Sequence, residues 1–389
     1  MSLHRADGLG GRAAVAGIGA TAFSKDSGRS ELALAAEAVR AALADAGLRA
    51  SDVDGLVTFT MDTSPEIAVA RAVGIGELSF FSRVHYGGGA ACATVQQAAL
   101  AVAAGVAEVV VCYRAFNERS GRRFGAGVQH REPSAEGVAL GWHMPYGLLT
   151  PASWVAMAAR RYLHTYGLSP DVFGHVAVTA RRHAARNPAA HFHGRPITLA
   201  DHAASRWIVE PLRLLDCCQE TDGGQAVVVT SVERARDLRH PPAVVVAAAQ
   251  GAARGQEAMT GFLRPGDELT GLPEAGVVAR QLWRTSGLAP ADIDVGILYD
   301  HFTPFVLTQL EEFGFCGPGE GADFVASAAL PLNTHGGQLG EAYLHGMNGI
   351  AEAVRQLRGT SVNQVRGAAR VLVTAGTGVP TSGLILGTA

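Results

Sequence analysis

The segment Asn333-Thr-His-Gly-Gly-Gln-Leu-Gly-Glu-Ala-Tyr-Leu-His-Gly-Met-Asn-Gly349 concentrates groups that can move protons. Its titratable rings are those of His335, Tyr343 and His345. The adjacent Gly336 and Gly337 let a backbone approach a ligand in conformations closed to other residues. A polar, Gly-rich loop that runs into an apolar helix-like stretch, Ile350 to Leu357, has the layout of a site presented by a rigid scaffold. A phenol, Tyr343, stands where a catalytic imidazole would be sought. The bland alternative for such a segment is a tight loop with a satisfied polar network.

The elements that position this loop belong to a chain of 389 residues, long enough for two lobes of similar size. Apolar residues make up 48 % and the formal net charge is −3 without a basic stripe, which gives nucleic-acid binding little support. No run of about 18 apolar residues offers a membrane span, and the N-terminus lacks the apolar core of a signal peptide. A cytoplasmic protein is expected. Five cysteines are too scattered for a disulfide framework. The adjacent Cys217 and Cys218 suit no common zinc spacing, and His191 and His193, flanking Phe192, read as surface residues; no metal is expected.

Two parts of the chain echo each other. Residues 31–58 read as an Ala-rich helix, Gly47-Leu48, Asp52-Val53-Asp54 and a strand; residues 274–298 repeat this with Gly287-Leu288, Asp292-Ile293-Asp294 and Val295 to Leu298. The passage Gly105-Val-Ala-Glu108 before Val109-Val-Val111 matches Gly367-Ala-Ala-Arg370 before Val371-Leu-Val373. Glycine at a helix end and a β-branched run after it are the expected stop and start signals. Helices alternating with short apolar strands imply α/β layers with buried sheets. Two pseudo-symmetric βαβαβαββ halves would form a five-layer α-β-α-β-α sandwich, residues 88–104 supplying an Ala/Gly-rich core helix. The expected division is 1–115 plus 206–250 for the first half and 251–389 for the second. Residues 116–205, where the echo stops, read as a mostly helical insertion over the site, with helices near 151–166 and 171–185. Its arginines, Arg122, Arg123, Arg160, Arg161, Arg181, Arg182 and Arg186, are candidates for the phosphates of a large anionic ligand, against the plainer reading of solvated helix faces.

The strand Val15-Ala-Gly-Ile-Gly-Ala-Thr-Ala-Phe23, the block Pro211-Leu-Arg-Leu-Leu-Asp-Cys-Cys218 with Asp222-Gly-Gly224, Tyr299-Asp-His-Phe302 and the Asn333 loop together resemble the thiolase superfamily, in its sterol-carrier-protein-type branch. The resemblance spans nearly the whole chain and implies the thiolase fold. It also exposes departures. The nucleophilic cysteine of thiolases, at the N-terminus of the first buried helix, falls at Gly88; Cys92 lies one turn further in and reads as an inert core residue. The catalytic histidine position is Tyr343, the Asn/His position of the other block is Tyr299, and the second reactive cysteine maps near Thr374. Without thiol or imidazole, acyl-enzyme chemistry lacks its nucleophile and base.

What the resemblance leaves is proton chemistry beside an acyl-CoA thioester. Retro-aldol cleavage needs a base at a β-hydroxyl, stabilisation of an enolate oxygen and an acid for the α-carbon, but no covalent intermediate. This substitution pattern looks like the steroid side-chain-cleaving, thiolase-like aldolases of actinobacteria. It implies a 17-hydroxy steroid with a short CoA-thioester side chain, split into a 17-ketosteroid and propionyl-CoA without any cofactor. It further implies a homodimer bound to a small OB-fold and zinc-ribbon partner protein. Tyr343 is then the expected base and Tyr299 the acid or enolate partner, with the roles exchangeable. A free phenol has a pKa of about 10, so His301 and His345, each two residues past a tyrosine, are candidate helpers. Backbone N–H groups around Gly88 and Gly337 are the candidate oxyanion donors, with Gly336 and His335 beside them. A non-catalytic acyl-CoA or lipid carrier, or a structural partner subunit, are the competing readings.

Overall fold

The computed structural model describes residues 9–121, 123, 141–256 and 270–389. In chain order the first half contains β1 (Ala13–Ala20), α1 (Glu31–Ala46), β2 (Gly55–Phe59), α2 (Glu66–Val73), β3 (Phe80–Val84), α3 (Ala91–Ala103) and β4 (Val109–Asn117). Next come α4 (Pro151–Tyr166), α5 (Gly174–Arg186), α6 (Leu199–Ala204), the short β5 (Trp207–Val209) and β6 (Leu212–Arg213), β7 (Asp222–Ser231) and α7 (Val232–Arg236). The second half continues with β8 (Ala243–Gly251), α8 (Pro273–Ser286), β9 (Val295–Ile297), α9 (Thr303–Glu312), α10 (Gly321–Ser327) and α11 (Gly337–Gly340). It closes with α12 (Met347–Arg358), β10 (Arg370–Ala375) and β11 (Thr381–Gly387). The helices expected near 151–166 and 171–185 are α4 and α5. Among the described residues no helix is long and apolar enough to cross a membrane.

The main sheet runs β3-β2-β4-β7-β1-β8-β11-β10-β9. Read outward from its centre, β1, β7, β4 and β2 match β8, β11, β10 and β9 in both position and chain order. The duplication seen in the sequence is therefore a duplication of topology. The junction is narrow: β1 meets β8 antiparallel at Ala14↔Val244 and Val15↔Ala243. The central helix α3 packs against strands of both halves, as does α12, while α1 covers β1, β7 and β4 and α8 covers β8 and β11. The result is the layering α-β-α-β-α, with the two sheet halves joined at one edge.

Small residues set the layer spacing. A Cβ on Gly19 would lie 2.1 Å from the Ala42 nitrogen, and one on Gly17 would lie 2.3 Å from the Ala42 oxygen. Only glycines in β1 allow the Ala-rich α1 to come this close. Ser30 caps the start of α1, and Gly47, at φ 76°, ends it in the left-handed region.

The symmetry also locates the site. In the first half β3 leads through residues 85–90 into α3. In the second half the counterpart of β3 has shrunk to one parallel bridge, Gly296↔Leu332, and the chain passes through residues 333–346 into α12. The Gly88 loop and the Asn333 loop are thus equivalent connections, each entering a central helix.

Candidate active site

Asn333 fixes the second loop to the strand it leaves. Its side-chain oxygen accepts the Leu298 N–H at 2.7 Å and its amide donates to the Leu298 oxygen at 2.9 Å. Tyr299, the next residue, is pinned on both sides of its backbone: its N–H donates to Thr374 Oγ1 at 2.9 Å, and its carbonyl accepts from Gln309 Nε2 at 2.9 Å. Thr374, the position matching the second thiolase cysteine, therefore holds the strand end and carries no thiol. From the other loop, Tyr343 is held through Thr221, whose hydroxyl accepts the Tyr343 N–H at 2.8 Å.

These anchors bring the two phenols together. The hydroxyl oxygens of Tyr299 and Tyr343 lie 3.4 Å apart. They meet where a side chain at residue 88 would stand, since a Cβ built on Gly88 would be 1.6 Å from the Tyr299 hydroxyl oxygen. A phenol fills the place of the thiol. Burial pushes both phenols well above their ordinary values, so each holds its proton at neutral pH.

His301 rests against Tyr299, ring centroids 4.7 Å apart, and its Nε2 lies 3.4 Å from Thr377 Oγ1. Burial lowers its pKa to about 3, leaving a neutral imidazole. His345 lies 5.0 Å from the Tyr343 ring, and its Nδ1 accepts from Arg114 Nε at 3.1 Å. Neither imidazole is positioned as a charged partner for a tyrosinate.

The glycine pair and His335 serve other contacts. A Cβ on Gly336 would lie 2.6 Å from the Ala184 Cβ of α5, so this residue admits the insertion helix. Gly337 makes room for Asp300: a Cβ there would lie 1.8 Å from Asp300 Oδ2. The backbone N–H groups after Gly337, those of Gln338 and Leu339, donate to the Asp300 carboxylate at 2.7 and 3.5 Å. Those two donors are committed within the protein. Burial raises Asp300 to about 6 against these hydrogen bonds. His335 Nε2 is 4.0 Å from Glu341 Oε2. Its carbonyl accepts from Asn187 Nδ2 at 2.9 Å, which ties the loop to the residue that follows α5.

Of the insertion arginines, Arg122 lies outside the described residues. Arg123 pairs with Glu220 and Arg160 with Glu210. Arg181 is buried over the Phe192 ring, 3.6 Å from its centroid. Arg182 and Arg186 are exposed.

Three groups beside the phenols were not among the expected site residues. Glu118, just past β4, is buried; desolvation and Glu220 raise its carboxyl well above the usual range, and its field reaches both tyrosines. Arg114 and Asp62 form a fully buried ion pair at 2.7 Å behind His345. The available signal was an arginine inside the otherwise apolar run of β4. Cys218 also lies near the pair, but desolvation and Glu118 push its thiol well above its ordinary value. The same holds for every cysteine of the chain: Cys112, Cys217 and Cys316 are each raised to about 12, and fully buried Cys92 is raised further still. No thiolate nucleophile is prepared.

Residues 255–388 match the thiolase C-terminal domain-like family. A steroid side-chain-cleaving aldolase of Thermomonospora curvata is 67 % identical over 387 residues, 97 % of this chain and 98 % of that one. The chain belongs to the thiolase superfamily, among its steroid side-chain-cleaving aldolases. A 17-hydroxy-3-oxo-4-pregnene-20-carboxyl-CoA lyase of Mycobacterium tuberculosis is also 67 % identical, over 97 % of this chain and 100 % of its own length. A solved Ltp2-ChsH2(DUF35) aldolase superposes with a TM-score of 0.93 at 67 % identity, covering 98 % of each chain. The expected fold and family are both borne out.

Proposed function

We infer that this aldolase cleaves a β-hydroxyacyl-CoA by a retro-aldol reaction in which Tyr299 and Tyr343 relay protons as neutral phenols. The 3.4 Å contact between their hydroxyls at the Gly88 position carries this reading. Tyr343 takes the proton of the substrate β-hydroxyl as it passes its own proton to Tyr299, and Tyr299 delivers its proton to the α-carbon. The breaking carbon–carbon bond leaves its electron pair on that carbon as the enolate, and the β-carbon becomes the ketone. Every proton is accounted for and no charge builds up on either phenol, which suits two hydroxyls that burial holds protonated. The reaction is redox-neutral and needs neither a metal nor a redox cofactor.

The names of the relatives support a 17-hydroxy steroid with a short CoA-thioester side chain as substrate, giving a 17-ketosteroid and propionyl-CoA. The solved neighbour's name supports a partner of the DUF35 type, for which we keep the OB-fold and zinc-ribbon character. We further propose a homodimer formed through β3, the terminal strand on the first-half side of the sheet, where Phe81 is 61 % exposed. The five unpaired cysteines are in keeping with a cytoplasmic enzyme. Purified protein, with and without the partner, mixed with a β-hydroxyacyl-CoA should release ketone and shortened acyl-CoA in equal amounts. Binding of the thioester with no product would favour the carrier reading instead.

A further inference from the structure

The imidazole of His345 carries a contact that fixes its chemistry. Arg114 Nε has a hydrogen and no available lone pair, and it lies 3.1 Å from His345 Nδ1. The histidine must therefore present a lone pair at Nδ1, so its one proton sits on Nε2.

The arginine cannot easily turn away. Its Nη1 donates to Asp62 Oδ1 at 2.7 Å, while the Thr58 hydroxyl donates to Asp62 Oδ2 at 2.5 Å. The guanidinium lies 4.0 Å from the Phe116 ring centroid. The His345 imidazole stacks on that same Phe116 ring, at 5.1 Å and 13°. His345 also adopts φ 52°, a left-handed conformation unusual for a residue with a side chain, which persists only where the surroundings over-determine it.

The Nε2 end faces the loop that makes room for the phenols. A Cβ built on Gly87 would lie 3.6 Å from His345 Nε2, and the next residue, Gly88, abuts the Tyr299 hydroxyl. We propose that His345 serves the site as an Nε2–H hydrogen-bond donor to the thioester oxygen as the enolate forms, and that Arg114 and Asp62 are positioning residues that hold it in this tautomer. This rests on the retro-aldol reading of the tyrosine pair. It replaces the expectation that His345 assists a tyrosinate: the imidazole neither takes nor gives up a proton, and stabilises charge developing on the substrate oxygen. Burial and the Arg114 and His301 neighbours lower its pKa well below the ordinary value, consistent with a neutral donor.

The test uses the full chain with its partner, with 15N in the histidine rings. Ring-nitrogen NMR between pH 6 and 8 should show His345 protonated at Nε2 alone and not titrating. A proton at Nδ1, or an imidazolium in that range, would overturn the proposal whether or not the enzyme cleaves its substrate. His345→Gln can accept from Arg114 through its oxygen and donate through its nitrogen. It should keep kcat within about 10-fold, whereas His345→Phe should lose about 10²–10³-fold with KM little changed. Equal losses in the two variants would contradict a donor role. The paired substitution Asp62→Asn with Arg114→Gln leaves no buried unpaired charge. In a folded protein it should release the tautomer into a mixture and lower kcat, and an unchanged tautomer would remove Arg114 and Asp62 from the scheme.

Discussion

Replacing Gly88 by alanine should damage catalysis far more than folding. The backbone at Gly88 lies outside the left-handed region that disfavours side chains, so alanine meets no conformational penalty there. The obstacle is the Tyr299 phenol, whose oxygen would be 1.6 Å and whose Cζ would be 2.2 Å from the new methyl group. Ordinary contact needs about 3.5 Å, so the phenol must retreat by about 2 Å. A misplacement of about 1 Å at a reacting group costs on the order of 10²-fold, so kcat should fall at least that far. Overpacking of this kind costs about 1–3 kcal/mol of stability. Steady-state release of ketone from a β-hydroxyacyl-CoA, measured beside thermal unfolding, separates the two effects. Wild-type kcat in Gly88→Ala would show that the phenol is not needed where the structure puts it.

The cysteines should be dispensable: Cys92→Ala and Cys218→Ala are expected to retain kcat within about 3-fold, and a loss beyond about 100-fold in folded protein would restore a covalent mechanism. His301 contributes to acid sensitivity in a definite direction. Its folded pKa of about 3 lies below the ordinary 6.5, so the unfolded chain binds the extra proton and stability falls as pH drops through 6.5. At pH 5 this amounts to about 2 kcal/mol, so the stability difference between wild type and His301→Asn should shift by about that much in the variant's favour between pH 7 and pH 5. Urea unfolding at the two pH values checks it, and a constant difference would mean that His301 is not held neutral.

Much of the fold could be read directly because duplication repeats the same local signals. The Gly47-Leu48 and Gly287-Leu288 helix ends announce equivalent helices, and the Asp-x-Asp segments after them precede equivalent strands. The tyrosine positions were legible from their spacing to Asn333 and from the blocks around them. Their contact was not, because it depends on Gly88 leaving room, which is a distance between two loops separated by more than two hundred residues of chain. The Gly336–Gly337 pair illustrates the opposite case. A glycine pair beside polar residues resembles a ligand loop in sequence, yet here it accommodates Ala184 and Asp300. Arg114, Asp62 and Glu118 went unseen because buried charge is defined by what surrounds it, and β4 and the turn after β2 give no local sign of facing each other.

The phenol pair itself is tested most directly by kcat for Tyr299→Phe, Tyr343→Phe and the double variant, each confirmed to be folded. If both hydroxyls belong to one relay, either substitution interrupts it, so each single variant should lose on the order of 10³-fold and the double should lose no more than the worse single. Substantial activity in either single variant, or losses that multiply in the double, would contradict proton passage through the two phenols.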